Sequence, residues 1–257
     1  MNYKILFLFC QSFWTLKRIP LKKNILTLLM GSIFFVSCIK EDFANRVTPV
    51  KPCELQTANP SGRSYASDSV VSFTCTQKFC GIMPLSAKNY WIYEDSVFND
   101  GIFVRVQLDT LRYTSTMKSL TDGLVWWESN VNVGLPERLY TNDSAFFKLE
   151  QRMFIQDIMD SKKDFSLFPG DSIRYLASFE DAAAQGRSLK LKTGIKTPAG
   201  YYDDCLYFEK NARNYRKDQV YFKPGIGVIK YIMEKAPIGQ RVIKLQQISN
   251  LVSFHIE

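Results

Sequence analysis

From Asn89 to the C-terminus, apolar and polar side chains alternate with period two. Ile102, Val104, Val106 and Leu108 interleave with Phe103, Arg105, Gln107 and Asp109. That spacing predicts a strand with one apolar row on a core face and a more polar row opposite. The same pattern recurs, weakly at 90–93, then at 124–127, 146–153, 173–177, 189–192, 201–208, 220–222, 228–232, 242–248 and 252–256. Turn-forming groups separate the runs: Asn99-Asp100-Gly101, Thr121-Asp122-Gly123, Pro169-Gly170-Asp171, Pro198-Ala199-Gly200 and Pro224-Gly225. Short runs divided by turns predict a mainly β chain built on a large antiparallel sheet. Residues 70–74 would add a short edge strand, and the only helices expected are short ones at 155–163 and 179–185. A rich aromatic complement, 19 Phe and 13 Tyr, suits strands more than helices.

The N-terminal portion carries a different pattern. Lys22 and Lys23 precede an apolar run at 25–36, then Ser37 and Cys38, after which the chain turns polar. Basic end, short apolar middle and small residue before a cut make up an export signal. The run is too short for a membrane-spanning helix, which needs about 20 apolar residues. Ser37-Cys38 resembles the lipobox of bacterial lipoproteins, with Phe35 in place of the usual leucine, as in Bacteroidota-type members. The resemblance implies that Cys38 becomes the acylated first residue, and that Lys40, Glu41 and Asp42 are a tag for the outer face of the outer membrane. Several acyl chains would anchor stably, each buried methylene contributing about 0.8 kcal/mol. Cys10 does not compete as a lipidation site, because Phe9 is too bulky for the processing position; a true start near Lys17 would account for residues 1–14. The expected organisation is a signal peptide at 1–37, a lipidated N-terminus and flexible Pro/Ser/Thr/Asn-rich tether at 38–67, and one β domain at 68–257.

Charge and cysteine usage narrow the classes. The formal net charge of +8 includes Lys4, Lys17, Arg18, Lys22 and Lys23, so the mature chain is near +3 and nucleic acid is excluded as the expected partner. Lys162-Lys163 and the residues 213–217 are local basic clusters that solvated loops explain. Four cysteines remain beyond Cys38, and export permits disulfides. A bridge among Cys53, Cys75 and Cys80 is expected, with Cys205 a buried thiol inside a strand pattern.

A second resemblance covers about residues 83–257. Residues 197–206 (TPAGYYDDCL) and 221–230 (YFKPGIGVIK) are similar to a paired strand-and-hairpin motif of a broad group of bacterial lipoproteins, and 83–93 resembles the strand that opens their domain. Pro224 departs from that motif. The group implies a curved antiparallel sheet or partly open barrel, similar to periplasmic lipoprotein carriers. Independently of any family, Gly225 and Gly227 suit a reversal that needs positive φ.

Chemistry-bearing constellations are sparse. The sole histidine, His255, sits near the C-terminus in an apolar alternation and reads as a surface or edge residue. No phosphate loop, dinucleotide fingerprint, nucleophile elbow or metal spacing appears, so no cofactor or metal is expected. Glu94-Asp95, Glu180-Asp181 and Asp203-Asp204 are adjacent acids, and strand neighbours point to opposite faces. Trp126 and Trp127 are either two core residues or one core residue and one indole open to a sugar or partner. The triplet Asp-Ser/Thr-aliphatic, at Ser69, Ser96, Thr110, Ser144 and Ser172, resembles the O-glycosylation signal of exported Bacteroidota-type proteins and also occurs at ordinary turns. The expected function is a non-enzymatic outer-membrane lipoprotein binding a protein partner or glycan. The alternatives are a binder of lipid in a curved-sheet cavity and a carboxylate hydrolase with two acids about 5 to 9.5 Å apart.

Overall fold

A computed structural model describes residues 53–167, 172–179 and 181–257, all within a compact unit spanning Lys51–Glu257. Cys38, the expected export signal at 1–37 and the expected charged tag at 40–42 lie outside the described residues. The first half comprises β1 (Ser64–Ala66), β2 (Val70–Phe73), β3 (Tyr90–Asn99), β4 (Ile102–Ser119), β5 (Val125–Ser129), β6 (Arg138–Thr141), β7 (Ala145–Gln151) and β8 (Ile158–Ser166). There follow β9 (Ile173–Ser178), β10 (Ala183–Lys190), β11 (Ile195–Thr197), β12 (Gly200–Tyr202), β13 (Leu206–Ala212), β14 (Arg216–Lys223), β15 (Gly227–Lys235) and β16 (Lys244–His255). Fourteen strands make one open antiparallel sheet in the order β1-β8-β7-β6-β5-β4-β3-β16-β15-β14-β13-β10-β9, with β2 added on β4 and β11–β12 a separate hairpin.

β4 is the hinge of this sheet. Its first part pairs with β3 from Ile102 to Arg112, and its second part pairs with β5 from Tyr113 onward and with β2 from Thr116. The two halves fold over each other and bury an aromatic layer: Phe146 of β7 lies 5.9 Å from Phe208 of β13 and 5.3 Å from Phe222 of β14, ring centre to ring centre. Phe165 of β8 closes on Phe208 at 5.2 Å. Two hydroxyl and indole donors tie β3 to the β14–β15 reversal, Trp91 Nε1 to the Ile226 carbonyl (2.7 Å) and Tyr93 Oη to the Val228 carbonyl (2.8 Å). Gly225 and Gly227 take φ of +79° and +126° there, as the turn requires.

Four expectations are corrected. Of the expected helix 155–163, residues 158–163 are strand β8, and of 179–185, residues 183–185 begin strand β10. Helices of that length are marginal on their own, and pairing of β8 with β7 and β1, and of β10 with β9 and β13, satisfies their backbone instead. Residues 53–67 are not tether. Tyr65 is buried against Trp126, β1 pairs with β8, and Asn142 donates from Nδ2 to the Ala58 carbonyl. The row Ile102, Val104, Val106, Leu108 does not face a core: Ile102 is 73% and Leu108 67% exposed. Because β5 joins β4 only from Tyr113, that end of the β3–β4 hairpin has nothing packed over it among the described residues. Finally, Lys162 and Lys163 are on β8 and Arg216 begins β14, so these basic residues are strand residues, not loop.

Candidate functional site

Three inner-face rows pass from apolar core to charge at one end of the folded sheet. Along β7, alternation places Phe146 in the aromatic layer and then Lys148 and Glu150 beyond it; along β13 the same face carries Phe208 and then Lys210. Along β14, read backwards, it carries Phe222, Val220, Asp218 and Arg216. Together with Asp164 of β8 and the 129–138 loop they line a cleft of about 600 Å³. Four cations (Arg138, Lys148, Lys210, Arg216) and four carboxylates (Glu137, Glu150, Asp164, Asp218) face it.

Charge this far inside needs partners, because an isolated buried ion is very costly. Lys210 Nζ reaches both oxygens of the fully buried Asp164 at 3.0 Å. Arg216 grips Asp218 through Nε and Nη2, both at 2.8 Å, and donates to Tyr231 Oη at 3.3 Å. Burial opposes the charge on this guanidinium, and the Asp218 contacts more than offset that, holding its pKa above the ordinary value. Lys148 bridges Glu150 and the Ser178 carbonyl. Beneath the cations lies Phe179, with Arg216 Cζ 4.9 Å and Lys210 Nζ 5.1 Å from its ring centre. Gly134 makes the loop fit: at φ +82°, a Cβ there would sit 2.5 Å from Val220 Cγ2.

No family model, curated protein or solved structure matches this chain. The site therefore stands on its geometry alone.

Most residues singled out in the sequence lie elsewhere. Trp126 and Trp127 are both fully buried, which removes them as ligand contacts. Trp127 faces the layer between the halves, against Phe79, and Trp126 faces the opposite side, covered by Tyr65 and Tyr140. Cys53 is bridged to Cys80, fastening the ordered N-terminal segment to the loop before β3, while Cys75 is buried and outside the bridge. Cys205 is buried, as expected, and burial pushes its thiol up from the usual value. His255 is exposed and stacks on Tyr90. Ser144 and Ser172 are exposed outside the strands; Ser69 donates its hydroxyl to the Ala66 carbonyl; Ser96 and Thr110 sit mid-strand on β3 and β4, half-buried.

One acid pair escaped the reading of adjacent residues. Asp95 of β3 and Asp109 of β4 lie diagonally across the ladder, since Asp95 registers with Gln107 and Asp109 with Tyr93. Burial, reinforced by the Asp109 carboxylate, pushes the Asp95 carboxyl up to about 6, even though Ser249 and Gln247 bond to it. It does not line the cleft. The cleft residues could have been suspected from one signal: Lys148, Lys210 and Asp218 occupy the inward phase of otherwise aromatic strands.

Proposed function

We propose that this protein is a lipid-anchored binding protein of the outer membrane, moored through Cys38, whose cleft takes a neutral, hydroxyl-rich glycan. One observation carries the reading: four cations and four carboxylates line a space of about 600 Å³, within the range of small-ligand sites. Balanced charge gives no net pull on an ion, while donors and acceptors placed side by side match the alternating hydroxyls of a sugar. The buried carboxylates Asp164 and Asp218 are already engaged by Lys210 and Arg216, which favours binding over acid–base hydrolysis. Fully buried Phe146, Phe165, Phe208 and Phe222 occupy the space between the sheet halves, so an acyl chain would have to displace the core.

Titration calorimetry of the full chain with a panel of neutral oligosaccharides tests the ligand. Saturable binding that falls at least tenfold in Glu150→Gln, with unchanged melting, supports the proposal; binding of fatty acid instead, or of none of the panel, rejects it. Mass spectrometry of the native N-terminus and release of Cys38→Ala from the membrane fraction test the anchor.

A further inference from the structure

Among the described residues, the exposed end of β4 has one bare edge. β3 covers one side of it from Ile102 to Arg112, and on the other side β5 begins only at Tyr113. Asn130 marks where the bare side stops: its Nδ2 donates to the Thr110 carbonyl, and its Oδ1 accepts from the Arg112 amide. Because peptide groups of alternate strand residues point the same way, the even-numbered residues Val106 and Leu108 direct their N–H and C=O groups outward from this edge. Between the ladder irregularity near Val104 and the Asn130 cap, the stretch from Arg105 to Asp109 is regular. An unpaired, apolar edge of this kind is a template for another strand.

We propose that this edge pairs antiparallel with the same edge of a second copy of the chain, centred on Gln107. In that register Arg105 stands opposite Asp109 of the second copy, twice over, and Val106 stands opposite Leu108. Val106 and Leu108 are the residues with outward peptide groups, so each such pair exchanges two backbone hydrogen bonds. Arg105 and Asp109 then face each other at positions of closest side-chain approach. Shifting the centre by one residue, to Val106 or Leu108, loses both charge pairs. Within one copy Arg105 and Asp109 are both bonded to Gln107, at 2.9 and 2.8 Å, Asp109 also meets the Asp95 carboxyl, and neither has an ion-pair partner among the described residues. A membrane is a poorer occupant, since it would strip water from Arg105, Gln107 and Asp109 while covering the apolar row. Pairing serves both rows.

Oxidative cross-linking in intact cells producing the full chain tests the register. Gln107→Cys should give a disulfide-linked dimer on non-reducing gels, and Phe103→Cys should not, because residue 103 registers with 111. Adding Arg105→Asp should cut the Gln107→Cys dimer at least tenfold, and adding Asp109→Arg as well should restore it, which separates lost pairing from lost folding. No dimer from Gln107→Cys, equal cross-linking from Phe103→Cys, or a dimer indifferent to the charge reversal would overturn the proposal. So would flotation of the monomer on lipid vesicles that Leu108→Asp abolishes.

Discussion

Replacing Asp95 by Asn should stabilise the fold, and by an amount that depends on pH. Asp95 is 2% exposed, its Oδ1 has no hydrogen-bond partner among the described residues, and Asp109 lies alongside. Its carboxyl titrates near 6 in the folded chain, against about 3.9 unfolded. The folded state thus holds this proton more tightly, and stability is lost as pH rises from about 4 to 6 and the group is forced to ionise in place. Two units at about 1.4 kcal/mol each set the full penalty at about 3 kcal/mol above pH 6. The neutral, isosteric amide removes that penalty. Urea unfolding should show a gain of about 3 kcal/mol for Asp95→Asn at pH 7.5, shrinking to about 1 kcal/mol at pH 4.5. Asp109→Asn, which removes the neighbouring charge, should recover a smaller part of it. A gain equal at both pH values, or a loss at pH 7.5, would refute the picture of a carboxyl ionised against its surroundings.

The cleft and the staple yield further expectations. Lys210→Met leaves the buried Asp164 carboxylate unpaired and should cost about 3–5 kcal/mol; the double variant Lys210→Met/Asp164→Leu should recover most of this, read by denaturant midpoints. Gly134→Ala forces a Cβ into Val220 and the Tyr231 ring at positive φ and should lower stability by about 3 kcal/mol or more, seen as a fall in Tm. Cys80→Ser opens a bridge with a sequence separation of 27 and should cost about 3.5 kcal/mol in the chain-entropy account. Adding reductant to the parent chain should reproduce that shift, and adding it to the variant should do nothing.

Much of the strand content could be read from alternation, and so could the reversal at Gly225 and Gly227 and a cysteine pair in the N-terminal portion. The cleft could not. Lys148, Lys210 and Asp218 share the phase of the aromatic residues on their strands, which hints at each singly, but they become a site only when β7, β13 and β14, drawn from separate parts of the chain, bring their inward phases to one end. The Asp95–Asp109 pair was hidden for the same reason, since it exists through cross-strand register and not through sequence neighbours.

Period two determines that a strand has two faces, and in this protein it did so correctly along β3, β13 and β14. It carries no information on what lies over each face. Tertiary folding decided that Trp126 and Trp127 would both be buried, because Tyr65 of β1 and Val70 of β2 help cover the outer side while the opposite half covers the inner. It also decided that the equally apolar Ile102, Val104, Val106 and Leu108 would meet solvent. Burial is a property of the partner surface as much as of the residue, and the partner surface is supplied by chain distant in sequence.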